Sequence, residues 1–255
     1  MNILRITQIC RFLLLYLSCL LLTTAAAHGK SFETGTTTYG VEGFGERILY
    51  ISENGVRINF PVAGLNIICK KPKYEVVWFN PKNKTIKHET IAALRARSNM
   101  TPKEISLPRL QRTPITFGGV SASKITVRSS PGTEEWLLPS YTNKTKRPQK
   151  LHTHYIVSTD IAVTPPLLLF LNTYYGVPNF GGVLLGCSHT DTAGGTATQY
   201  STSRVEKGKF PSDLLDVPSG YKECRTQMEV ATGPGYRDQF DDLARDMGIG
   251  EKFGK

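Results

Sequence analysis

Apolar and polar positions alternate through much of the first half of this chain. Ile48 to Ser52 is a compact apolar run, and beyond Glu53-Asn54-Gly55 the residues Val56, Ile58 and Phe60 alternate with Arg57 and Asn59. A period of two puts successive side chains on opposite faces of a strand, one dry and one wet. Asn-Gly between two such runs is a hairpin signal, because both residues accept positive φ. Tyr74 to Phe79 is a further run, dense in β-branched and aromatic residues. Asn80-Pro81-Lys82-Asn83-Lys84 then turns the chain into a short strand at Thr85-Ile86. The pattern predicts an antiparallel meander with one apolar face, which another element must cover.

The rest of the chain supplies flanking strands and candidate covers. Thr36 to Tyr39 reads as a first strand. His88 to Ser98 changes period: Ile91 and Leu94 lie three apart among Ala92, Ala93 and Ala96, which predicts a short helix. Thr101-Pro102-Lys103-Glu104 is a second helix start, cut short at Pro108. Ile115–Phe117 and Lys124–Arg128 read as strands around Gly118-Gly119, and Glu135–Leu138 as another, carrying Trp136. His152 to Val163 is rich in β-formers. Thr164-Pro165-Pro166 opens an apolar helix through Tyr175, which Gly176-Val177-Pro178 stops. Val183–Leu185 and Thr196–Val205 make a late strand pair, and Phe210 to Tyr221 is an apolar, proline-containing clamp. Phe240, Leu243 and Met247 share one face of a helical pattern over Asp238–Met247. No internal repeat or linker is visible. The expected division is residues 1–27 as a signal peptide, 28–229 as one mostly β domain, and 230–255 as an amphipathic tail.

The signal-peptide reading rests on Arg5 and Arg11, the apolar run Phe12–Leu22, and the A-x-A pattern of Ala25-Ala26-Ala27 before His28. A lipid anchor would use Cys19, but Tyr16-Leu17-Ser18 is a poor lipobox. Loss of Arg5 and Arg11 lowers the basic count from 31 to 29 against 21 acids, a net charge of about +8. That balance fits solubility, or affinity for an anionic membrane surface. An exported chain without a nucleic-acid motif argues against nucleic acid. The densest basic cluster, Lys144, Lys146, Arg147 and Lys150, sits with Pro148 in an expected loop. Cys69, Cys187 and Cys224 remain after cleavage; export favours a disulfide, and three cysteines allow one, by any of three pairings.

Candidate chemistry is sparse. His152 and His154 face one way on a strand, but no third metal ligand is placed by sequence. Gly186-Cys187-Ser188-His189-Thr190-Asp191 holds a thiol, an imidazole and a carboxylate, yet triad members are usually distant in sequence, and a polar turn explains the cluster as well. There is no nucleophile elbow, phosphate loop or HExxH motif. Asn83, Asn99 and Asn143 begin glycosylation acceptor patterns. Trp78, Trp136, Phe60 and Tyr74 fit either a ligand cavity or a closed core.

The order YISENGVRI, then YEVVWFNPKNKTI, then VEKGKFPSDLLDVPSGYK resembles the periplasmic lipoprotein-carrier superfamily of the LolA/LolB carriers and RseB-type sensor domains. Val217-Pro218-Ser219-Gly220-Tyr221 is similar to the close that its members carry near the last strand. The likeness spans roughly Thr36 to Lys222. It implies a mostly β fold: a curved antiparallel half-barrel with short helices covering its concave face, to which the tail adds a C-terminal helix. It also implies a non-enzymatic, cofactor-free protein of the periplasm or cell envelope that binds a lipid or acylated protein. The ligand-lining residues would then be Val56, Ile58, Phe60, Tyr74, Val76, Trp78 and Trp136. The other reading is a protein-interaction or sensing module with a filled core.

Overall fold

The computed structural model describes residues 31–42, 45–97, 110–128, 150–191 and 194–233. Among them, strands β1 (Phe32–Glu42), β2 (Gly45–Ser52), β3 (Gly55–Phe60), β4 (Leu65–Lys70), β5 (Glu75–Asn80) and β6 (Thr85–Glu89) form the first half of one sheet. β7 (Gln111–Phe117), β8 (Val120–Arg128), β9 (Lys150–Ser158), β10 (Val183–Asp191), β11 (Thr196–Pro211) and β12 (Lys222–Glu223) form the rest. Three short helices accompany it: α1 (Ile91–Arg97), α2 (Pro165–Tyr175) and α3 (Gln227–Thr232). The sheet is open and curved, in the order β12-β6-β5-β4-β3-β2-β1-β11-β10-β9-β8-β7. It is mixed rather than wholly antiparallel, because β12 runs parallel to β6. The long β11 pairs with β1 from Phe32 opposite Pro211 onward, and so joins the two halves.

The meander forms as the pattern predicts, with different turn chemistry. Neither Asn54 nor Gly55 adopts positive φ. Instead the Ser52 hydroxyl accepts from the backbone N–H groups of Asn54 at 3.1 Å and Gly55 at 3.2 Å. The Gly118-Gly119 turn between β7 and β8 does use positive φ at both residues, 59° and 82°. β3, β4, β5 and β6 begin at Gly55, Leu65, Glu75 and Thr85, a ten-residue spacing. The linking turns end in left-handed residues, Gly64, Tyr74 and Lys84. Tyr74, expected within a strand, therefore closes a turn at φ 51°.

β4 escapes sequence reading because it lacks a period. Ile67 and Ile68 are both buried, on opposite faces. Ile67 joins the main core, while Ile68 packs with Val77, Phe79 and Ile86 under Val217 and Tyr221. The predicted clamp thus covers the outer face of β4–β6, and the Arg57 guanidinium fixes it by donating to the Leu214 carbonyl at 2.8 Å. At the other end of the sheet, Val177 and Phe180 cover Ile125, Tyr155, Leu184 and Tyr200.

The helices have local causes. Thr90 caps α1 by accepting from Ala93 N–H at 3.0 Å, which leaves His88 and Glu89 in β6 instead of in the helix. Prolines open α2, and Gly176, left-handed at φ 62°, ends it with N–H bonds to the carbonyls of Asn172 and Thr173. Thr226 caps Glu229 N–H at 3.1 Å to start α3, and the Thr-x-x-Glu spacing there is a capping signal. The expected signal peptide, the start at Thr101, the strand with Trp136, the Lys144–Arg147 loop and the tail helix lie outside the described residues.

Candidate functional site

The apolar faces of β2–β5 meet the helices in one cluster. Val56, Ile58, Phe60 and Val76 are wholly buried there, and Trp78 is 5% exposed. Tyr74 packs against the cluster from its turn. Leu167, Phe170 and Leu171 of α2, Leu94 of α1 and Val230 of α3 are buried in the same cluster. The predicted lining residues within the described chain therefore converge, and Trp136 lies outside it.

Two polar anchors in this covered layer carried no sequence signal. Arg47 on β2 is 1% exposed. Its guanidinium donates to the Tyr175 hydroxyl at 2.6 Å and to the Thr38 hydroxyl at 3.2 Å, and stacks over the Tyr200 ring at 4.4 Å. Glu42 lies 3.9 Å from its Nε and accepts from the Tyr174 hydroxyl at 2.6 Å. Burial pushes the Glu42 pKa up, against the lowering effects of the Tyr174 bond and of Arg47. Burial also works against the Arg47 charge, but Tyr175, Tyr200 and Glu42 outweigh it and hold the guanidinium protonated. The end of α2 is thus pinned to β1 and β2 through adjacent tyrosines.

The second anchor is Glu89, at the end of β6. It accepts from Trp78 Nε1 at 2.6 Å, Lys87 Nζ at 2.9 Å, Arg97 Nη2 at 2.8 Å and Gln227 Nε2 at 3.1 Å. One carboxylate therefore ties the sheet to α1 and α3. Burial raises its pKa, but the Lys87 bond and the charges of Arg97 and Lys87 bring the net shift below the usual carboxylate value. Beside it, Lys73, Tyr74, Glu75, Thr90 and Ile91 line an open groove of about 410 Å³ at the start of α1.

The other candidates separate. His152 and His154 do share a face, with ring centroids 6.2 Å apart. Among the described residues, no group of three or more His, Cys, Asp and Glu is placed to hold a metal. Cys187 and His189 share the opposite face, paired with Tyr155 and Thr153, and the Cys187 thiol donates to Gln199 Oε1 at 3.5 Å. A register shift precedes Asp191. Cys69, Cys187 and Cys224 are buried, and burial pushes the Cys69 thiol up to about 12. Asn83 is exposed but its amide donates to the Ala231 carbonyl at 3.2 Å; Asn99 and Asn143 lie outside the described residues.

No protein-family model and no curated protein matches this sequence. Among solved structures it is similar to an uncharacterised conserved protein from Thermus thermophilus. That likeness has 9% identity and a TM-score of 0.38, covering 82% of this chain and 99% of the other. It is also similar to a domain described as that of an outer membrane lipoprotein-sorting protein from Vibrio parahaemolyticus. There the identity is 11% and the TM-score 0.21, with 69% of this chain and 84% of the other covered.

Proposed function

We propose that this chain is an exported, non-enzymatic binding protein of the cell envelope, which holds a lipid or protein-borne acyl chain against the covered apolar face. The observation that carries this reading is α2. Its buried residues, Leu167, Phe170 and Leu171, lie on the apolar sheet face, yet its outer side presents Leu169 at 48% exposure. A cover of a filled core normally turns polar residues outward. A helix apolar on both sides is suited to exchange one apolar contact for another. Its C-terminal end is held by two discrete polar links, Arg47 to Tyr175 and Tyr174 to Glu42. An acyl chain buried between helix and sheet gains about 0.8 kcal/mol per methylene, offset in part by ordering.

A second reading is an interaction or sensing module with a filled core. Complete burial of Val56, Ile58, Phe60 and Val76 favours it. Organic extraction of the purified chain from His28 onward, followed by mass spectrometry, separates the two. A lipid co-purifying at near-stoichiometric amount is the expected result. Its absence across preparations, together with no binding of a fluorescent fatty acid, would leave the interaction module standing.

A further inference from the structure

At the β8–β10 end of the sheet, the face that carries Ala122 and Ile156, opposite to that of Tyr155 and Cys187, does not end in apolar residues. On β8, Ala122, Lys124 and Thr126 leave the core in steps of two. On β9, Ile156, His154 and His152 do the same. Lys124 stands opposite Ile156, and Thr126 opposite His154. β10 continues the face, with Ser188 opposite His154 and Thr190 opposite His152. Ala122 is buried in the main apolar cluster and Ile156 packs against it. One face therefore passes directly from the apolar layer to a lysine, two imidazoles and three hydroxyls.

The groups in this patch are positive or hydrogen-bonding, and among the described residues no carboxylate pairs with them. Thr126 Oγ1 lies 3.1 Å from His154 Nδ1, while the buried His152 Nδ1 has no hydrogen-bond partner among the described residues. Desolvation, then the charges of Lys124 and His152, lower the His154 pKa. Such a set becomes stable when an anion supplies the missing acceptor and charge.

We propose that Lys124, His152 and His154, with the hydroxyls of Thr126 and Ser188, seat the phosphate or carboxylate headgroup of an amphiphile. Its tail lies on the adjoining apolar face; that half rests on the carrier reading above, while the anion site rests on the patch alone.

The test uses the chain from His28 onward and three probes: lysophosphatidic acid, a monoacylglycerol of the same acyl length, and inorganic phosphate. The lipids are titrated calorimetrically below their micelle concentrations, and the imidazole resonances are followed by NMR. The anionic lipid should bind about ten-fold tighter than the neutral one or better, as charge-assisted hydrogen bonds require. Lys124→Gln, at an exposed strand position, and His154→Gln should bring the two affinities together without weakening the monoacylglycerol or moving the melting temperature. Equal affinity for both lipids in the unaltered chain overturns the headgroup site and leaves the carrier reading intact. Imidazole shifts with phosphate but no binding of either lipid keep the anion site and remove the carrier reading. Imidazoles that respond to no probe overturn the site itself.

Discussion

Trp78 is where stability and ligand binding can be read from one side chain. Its ring is 5% exposed, sits 6.1 Å from the Tyr174 ring, and donates to Glu89 at 2.6 Å. Trp78→Phe keeps an aromatic ring and removes the donor. Glu89 Oε1 retains Arg97 at 2.8 Å and Gln227 at 3.1 Å, so no buried acceptor is orphaned. The cost is then that of one hydrogen bond to a charged group, about 2 kcal/mol. For a domain of this size that corresponds to roughly 4–8 °C in melting temperature. Trp78→Ala also removes the ring from the packed layer and should cost about 3–5 kcal/mol in a closed core. If the layer opens to take an acyl chain, the alanine variant should cost less than that and lose the fluorescent fatty acid. Urea unfolding followed by circular dichroism, alongside the binding titration, gives both quantities. An unchanged midpoint for Trp78→Phe would show that the indole bond contributes nothing. The full closed-core loss for Trp78→Ala, in a protein that never binds the probe, would refute the carrier reading.

Three further outcomes follow from the anchors and the thiols. Tyr175→Phe removes the acceptor 2.6 Å from Arg47 Nη1; a buried charged donor is left short of a partner, so unfolding free energy should fall by about 1–3 kcal/mol, and hydrogen exchange over α2 should accelerate. Glu89 is held below the usual carboxylate value in the fold, so the stability it contributes is present above its unfolded pKa and is lost as pH falls through the folded one. The gap in urea midpoint between the parent and Glu89→Gln should therefore be widest at neutral pH and narrow below about pH 4; a constant gap would refute the assignment. Cys69, Cys187 and Cys224 are buried thiols, so a thiol reagent should react slowly with the native chain from His28 and count three thiols in denaturant without reductant; a count of one would reveal a disulfide.

Elements with a clear period are legible in the chain alone. β2 and β3 can be placed because one face of each is dry and the other wetter, β5 and β6 because runs of β-branched and aromatic residues lie between turn signals although both faces of β5 are buried, and α2 because prolines and Gly176 bracket it. β4 cannot, because clamp and helices cover both its faces and burial on two sides erases alternation. The predicted lining residues on β3 and β5 are legible for the same reason as the strands: side chains two apart share a face. Arg47 and Glu89 are not, since an arginine or glutamate beside a strand reads as solvated surface. Only the closure of α2, α1 and α3 over the sheet takes those charges out of water, and their partners lie on distant segments: Tyr175 and Thr202 for Arg47, Gln227 for Glu89. The histidine pair shows the same division. The spacing of His152 and His154 puts two imidazoles on one face; the pairing of β8, β9 and β10 sets Lys124, Thr126 and Ser188 around them, at the edge of the apolar layer.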